Sequence, residues 1–165
     1  MANPSNDTVL FPFTAFNFSV EIYVPALQRT LCNAAFSEAD GLEIAMDVKT
    51  IREGGNNGSQ IRLVGAVSYG QVTLKRGMTA SFDLWEWLDA IAQAPAAQLR
   101  NDLRGHAEVV MLAPDRQGKN VSFILERCLP VKLKAPALNA RDGMVAIEEL
   151  QLVYESMRLK KPEAS

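Results

Sequence analysis

Between Phe16 and Val24 the chain alternates without a break: Phe16, Phe18, Val20, Ile22 and Val24 are separated by Asn17, Ser19, Glu21 and Tyr23. Successive side chains of a strand point to opposite faces, so this period specifies a strand with one buried and one wet face. It does not suit a helix, whose apolar positions recur every three to four residues. A strand of this kind is stable only beside others, and the sequence goes on to supply them. Pro25 closes the segment, because proline has no N–H for a ladder, and residues 26–34 read as a connection. Residues 36–44 contain Asp40-Gly41, a turn or bulge signal with apolar residues on both sides. Residues 45–51 continue extended, and residues 60–67 and 72–77 read as two more strands.

The period changes once. In residues 81–91, Leu84, Leu88 and Ile91 share one helical face with Trp85 beside it, Ser81 is placed to cap the start, and Pro95 stops the run. Large apolar groups at this spacing suit a helix docked on a sheet or at a subunit interface better than a stacking site for a ligand. Leu99 and Leu103 add a short helical turn before Gly105. Residues 107–112 and 121–125 flank the polar loop 114–120 as a hairpin, and residues 127–134 prolong its second arm across Pro130, which implies an edge, a bulge or a bend. Residues 144–154 fit two templates. Ile147, Leu150 and Tyr154 suit a helix, whereas Ala146, Glu148, Leu150, Leu152 and Tyr154 form one strand face after the turn signal Asp142-Gly143. The chain is mainly β with one flanking α-helix.

Composition assigns all of residues 1–165 to a single domain, since 48% hydrophobic content is enough for one core and no shift in composition divides it. The 17 basic and 19 acidic residues are mixed along the sequence, whereas a nucleic-acid groove needs a dense basic stripe. Cys32 and Cys128, in core-like contexts, make neither a disulfide framework nor a metal knuckle and read as reduced thiols. The N-terminal stretch has no basic start followed by an apolar run, so no secretory signal is expected, and no segment is long enough to span a membrane as a helix.

Catalytic chemistry finds little to work with. His106 is the single histidine, so no two-histidine metal site is available, and it reads as a junction residue beside Gly105. No nucleophile elbow of the G-x-S-x-G type occurs. Glu148 and Glu149 are adjacent, so in a strand they point to opposite faces and share no reacting centre; solvated or inter-subunit charges are the expectation. No catalytic residue, cofactor or metal is expected. The distinctive stretch is Ile51, Arg52, Glu53, Gly54, Gly55, Asn56, Asn57 and Gly58, between two strands. It lacks the lysine and serine or threonine of a phosphate-binding loop and opens no helix. Its glycines and asparagines instead make an exposed loop or arm whose remaining purpose is contact.

Six segments carry a resemblance. Residues 16–20 (FNFSV), 36–42 (FSEADGL), 51–56 (IREGGN), 72–77 (VTLKRG), 84–87 (LWEW) and 146–155 (AIEELQLVYE) occur in the order found in tail tube proteins of contractile phages and phage-tail-like extracellular injection systems. The likeness spans residues 11–158, with short flexible termini, and decides for a strand in the last segment. It implies a β-sandwich or half-barrel subunit that joins its copies in a hexameric ring as one continuous β-barrel, with rings stacked into a hollow tube. Such closure removes exposed sheet edges. It implies that Asn17, Ser19 and Glu21, or polar positions within residues 121–134, line the lumen, and that residues 51–58 reach a neighbouring copy. Implied partners are further copies, a sheath protein, baseplate and tail-terminator proteins, and cargo in the lumen, either DNA or a protein effector. Assembly in the bacterial cytoplasm follows, then residence in a phage tail or a released particle. The competing reading is a monomeric β-barrel that binds a small ligand, which would need a closed apolar pocket.

Overall fold

The computed structural model describes residues 12–32, 36–52, 54–55, 58–116 and 118–162. Its first strand, β1 (Phe18–Val24), realises the alternation: Val20, Ile22 and Val24 are buried while Glu21 and Tyr23 are exposed. Pro25 ends it as expected by opening a 3-10 turn, Pro25–Leu27. Residues 29–31 are not mere connection, however. Gln28 adopts a left-handed conformation (φ 49) that reverses the chain into β2 (Arg29–Leu31), antiparallel to β1 with Ile22 opposite Leu31. A strand of three residues is too short to show a period. Residues 33–34 of the expected connection lie outside the described residues.

The remaining strands are β3 (Phe36–Asp40), β4 (Ile44–Ile51), β5 (Ile61–Tyr69), β6 (Gln71–Gly77), β7 (Gly105–Leu112), β8 (Lys119–Lys134), β9 (Ile147–Val153) and β10 (Ser156–Lys160). One sheet runs in the order β2-β1-β7-β8-β9-β6-β3, with β10 added beside β8. It bends into a half-barrel because β8, 16 residues long, serves both halves. Its first part pairs with β7 and β10, and residues 129–134 pair with β9. The corner falls where Arg127 takes a positive φ of 54 and the register slips between Pro130 and Lys132. Proline, expected there at an edge, bulge or bend, sits at the bulge.

Residues 147–153 form a strand, with Glu148, Leu150, Leu152 and Tyr154 turned inward. The turn before it lies earlier than Asp142-Gly143: the Asp142 N–H donates to the Asn139 carbonyl at 3.3 Å, within a longer excursion between β8 and β9. The last strand, β10, has the sequence SMRLK, in which Met157 and Leu159 alternate with polar residues, too brief an alternation to stand out in the sequence.

Helix α1 (Asp83–Gln93) closes over the core, followed by α2 (Ala97–Asp102). Ser81 is not its cap; Phe82 holds that position, and the Asp83 carboxylate accepts from the Leu84 N–H at 2.9 Å. Trp87, fully buried, is the tryptophan that anchors the helix, its indole Nε1–H donating to the Leu103 carbonyl at 2.7 Å. Gly105 makes room for it, since a Cβ there would lie 3.3 Å from the Trp87 ring. Leu74, Leu84, Leu125, Leu150 and Leu152 fill the space between sheet and helix.

Strands β4 and β5 form a separate two-stranded ribbon. Its base is the bend between β3 and β4, where Gly41 has φ +89 and lies so close to the Gln71 carbonyl that any Cβ would collide with it. The Tyr154 hydroxyl holds that base, donating to the carbonyls of Gly41 (3.3 Å) and Glu43 (3.2 Å) or accepting from the Glu43 N–H (3.2 Å).

Candidate assembly surfaces

The polar chemistry of the interior converges on Arg76. It is an inward position of β6, in line with Val72 and Leu74, and faces Glu148 on β9 in the cross-strand register. Its Nε donates to Glu148 at 2.5 Å and its Nη2 to Asp83 at 2.8 Å, with Arg76 and Glu148 each 1% exposed. Glu148 also accepts from the Trp85 indole at 3.0 Å, and Asp83 accepts from the Cys32 N–H at 2.6 Å. Glu148 is thus a buried structural charge rather than the solvated or inter-subunit one expected. The β6–β9 register and α1 bring it partners the local sequence does not reveal. Burial alone would raise the Asp83 carboxyl, but hydrogen bonds from Arg76 and the Cys32 backbone outweigh it and hold Asp83 below the usual carboxylate range. Burial likewise opposes the charge on Arg76, and its two carboxylate partners outweigh it in turn. Burial pushes the Cys32 thiol far up and the Cys128 thiol to about 12, so both are inert core thiols.

This cluster ties the residue after β2 to β6, β9 and the start of α1. It offers no open reacting centre. Among the described residues no three metal-ligating side chains converge. His106 lies opposite Tyr23 on the exposed face of β7, apart from the cluster.

The arm is a different kind of feature. All eight residues of β4 are exposed, as are most of β5. At the tip, Ile51, Arg52, Gly54, Gly55 and Gly58 are exposed, and Gly55 takes φ +98, the left-handed geometry that glycine accepts without strain. Glu53, Asn56 and Asn57 lie outside the described residues. The arm therefore stands off the body on a ribbon of its own, which the sequence reading of strands flanking the loop anticipated.

The expected lumen residues divide. Asn17 is buried: its Nδ2 donates to the Pro114 carbonyl (3.4 Å) and its Oδ1 accepts from Arg116 (3.3 Å), so it belongs to the β7–β8 turn and not to an open wall. It precedes β1, where the alternation no longer governs which side is wet. Ser19 is half-buried and Glu21 exposed, opposite Val110 and Glu108 of β7. A second polar surface lies on the outward side of β3, β6, β9 and the end of β8. Two successive rows cross it in register, Asp40–Thr73–Gln151–Lys132 and Glu38–Lys75–Glu149–Lys134. Lys75 pairs with Glu38 at 2.9 Å, and Glu38 keeps that lysine protonated beyond its usual range.

Residues 14–158 match the family model described as T4-like virus tail tube protein gp19. Among solved structures, a chain of the anti-feeding prophage (AFP) baseplate is similar with TM-score 0.80 and 22% identity, covering 94% of this chain and 100% of that one. A chain of the PVC extracellular contractile injection system sheath-tube complex in the extended state has TM-score 0.74 and 17% identity, covering 98% and 99%. A chain of the AFP tube-terminating cap has TM-score 0.77 and 20% identity, covering 98% and 99%. At these identities the structural likeness speaks for the fold. No curated protein sequence matches significantly.

Proposed function

Because the chain belongs to the T4-like virus tail tube protein family, we propose that it is the inner-tube subunit of a contractile tail or injection particle. Its copies form hexameric rings that stack into a rigid hollow conduit, which sheath contraction drives through a target envelope. The observation that carries this is the β4–β5 ribbon: a two-stranded sheet, exposed along both strands and rich in apolar side chains, is marginal alone and gains its stability from a neighbouring copy. The role is structural. A small-ligand carrier is disfavoured because the interior is filled by Trp87 and leucines rather than left as a pocket.

Hexameric rings accord with the sixfold symmetry of the AFP baseplate in which a similar chain occurs. Sheath and terminator partners accord with the PVC sheath-tube and AFP cap assemblies. Baseplate contact, cytoplasmic assembly and passage of DNA or a protein effector complete the reading. No described helix is long and apolar enough to cross a membrane. The lumen wall is best supplied by the outward face of β3, β6, β9 and the end of β8. Its two rows are polar throughout, one of them alternating in charge from Glu38 to Lys134 and the other running from Asp40 through Thr73 and Gln151 to Lys132, whereas the face bearing Ser19 and Glu21 also carries Tyr23 and Ile124. Negative-stain electron microscopy of the purified chain tests the proposal: rings or tubes with a central channel are expected, and a monodisperse monomer at high concentration sinks it.

A further inference from the structure

Two short segments join the β4–β5 ribbon to the body: residues 41–43, between β3 and β4, and Gly70, between β5 and β6. The ribbon pairs with no other strand, so its direction is set at this root. The two segments touch there, the Gly70 N–H donating to the Glu43 carbonyl at 3.1 Å. That bond closes the ribbon on itself and does not tie it to the core.

Tyr154 supplies that tie. It ends the inward row Glu148, Leu150, Leu152 and Tyr154, only 6% exposed, where β9 passes to β10. Its ring lies 5.7 Å from the ring of Tyr69, the last residue of β5, tilted by 54°. Its hydroxyl reaches the other segment, 3.2 Å from the Glu43 N–H and carbonyl and 3.3 Å from the Gly41 carbonyl. One side chain thus grips both strands at the root. A phenylalanine would fill the same space in the core, and a buried phenol is costly unless its hydroxyl finds partners. Among the described residues, every partner of this hydroxyl is backbone at the root of the ribbon.

A small error at the root becomes a large one at the tip. The first strand of the ribbon has eight residues, roughly 26 Å at about 3.3 Å each. A tilt of about 10° over that length moves the tip by about 4–5 Å, beyond the reach of any hydrogen bond made there. We infer that Tyr154 is a positioning residue for assembly: its hydroxyl latches the root and holds the ribbon at one angle to the body. The consequence for assembly rests on the proposed tube; the latch itself does not. Glu43 is exposed, so water replaces the hydroxyl when it is removed, and the chain loses rigidity at the root rather than its fold.

Tyr154→Phe removes the oxygen and keeps the ring. In the unassembled chain, spin labels at Thr50→Cys, near the tip, and Asp102→Cys, on α2, report the angle of the ribbon. Both positions are exposed, and the native cysteines are buried and do not compete for label. A narrow distance distribution is expected with Tyr154 and a clearly broader one with Tyr154→Phe, while the far-ultraviolet circular dichroism stays native. The concentration needed for tube formation should rise roughly tenfold, the size expected from losing one or two hydrogen bonds. An unchanged distribution overturns the latch, and a broadened one with unchanged tube formation overturns its role in assembly. Should Tyr154→Phe fail to fold, amide exchange in the wild-type monomer decides. The Glu43 N–H should then exchange about tenfold more slowly than the amides at the ribbon tip, and equal rates refute the latch. A wild-type chain that forms no tubes defeats the proposed function, while the distance distribution still decides the latch.

Discussion

Arg76 shows how one side chain couples sequence pattern to architecture. It occupies a position the strand period assigns to the core, and burying a guanidinium there is costly unless every charge it meets is compensated. Glu148 and Asp83 supply that compensation at 2.5 and 2.8 Å. Arg76→Met leaves Glu148 buried without its counter-charge, and a loss of about 3–5 kcal/mol in urea unfolding is expected. The double variant Arg76→Met, Glu148→Leu should recover much of that loss, since an uncharged pair has nothing left to compensate. Asp83 gives the pH dependence. Its carboxyl lies below the ordinary value in the folded chain, so its stabilising contribution is complete above about pH 4 and is lost as pH falls through the lowered value. Asp83→Asn should therefore lower the urea midpoint at neutral pH and flatten its decline on the acid side. An unchanged acid slope would assign the decline to other groups. The alternation of β6 and β9 puts both charges on the inward side, yet the local sequence reads Glu148 as solvated or inter-subunit, and that the two charges meet is set by strand pairing.

At the level of elements, the ribbon and its hinge are what the proposed assembly depends on. Gly41 is confined by its positive φ and by the Gln71 carbonyl, so Gly41→Ala should displace the base of the ribbon. The body should fold with near-native far-ultraviolet circular dichroism while tube formation, followed by light scattering, falls sharply. Removing residues 52–58 shortens the arm without touching the core, and long tubes should disappear from electron micrographs. Long tubes from that variant would leave the arm without a role. Helix α1 was readable because its apolar spacing is long and periodic, although its cap was misplaced: Asp83 is engaged by Arg76 and Cys32, contacts across the fold that no local signal predicts. Strand β2 escaped because three residues establish no period, and β10 because its alternation of Met157 and Leu159 with polar residues is brief.

For the whole molecule, the outward face of β3, β6, β9 and the end of β8 is the decisive surface. Its rows mix acidic, basic and neutral polar groups, a pattern that would wet the proposed channel without giving it one strong sign. Lys132→Glu together with Lys134→Glu should leave tube assembly intact and change cargo loading, measured as cargo per tube, whereas Glu21→Lys should leave loading unchanged. The opposite result would return the lumen to the face of β1. The sequence by itself determined the strand class, the main helix α1, the exposed arm and, through six ordered segments, the family. Each of these rests on local period, turn chemistry or motif order, which survive without knowledge of what packs on what. Only the tertiary structure decided that Asn17 and Glu148 are buried, that β8 turns a corner to serve both halves, and that the Tyr154 hydroxyl reaches the root of the ribbon. Those are consequences of bending a sheet on itself, and the partners it brings together, 72 positions apart for Arg76 and Glu148, are set by pairing across the chain rather than along it.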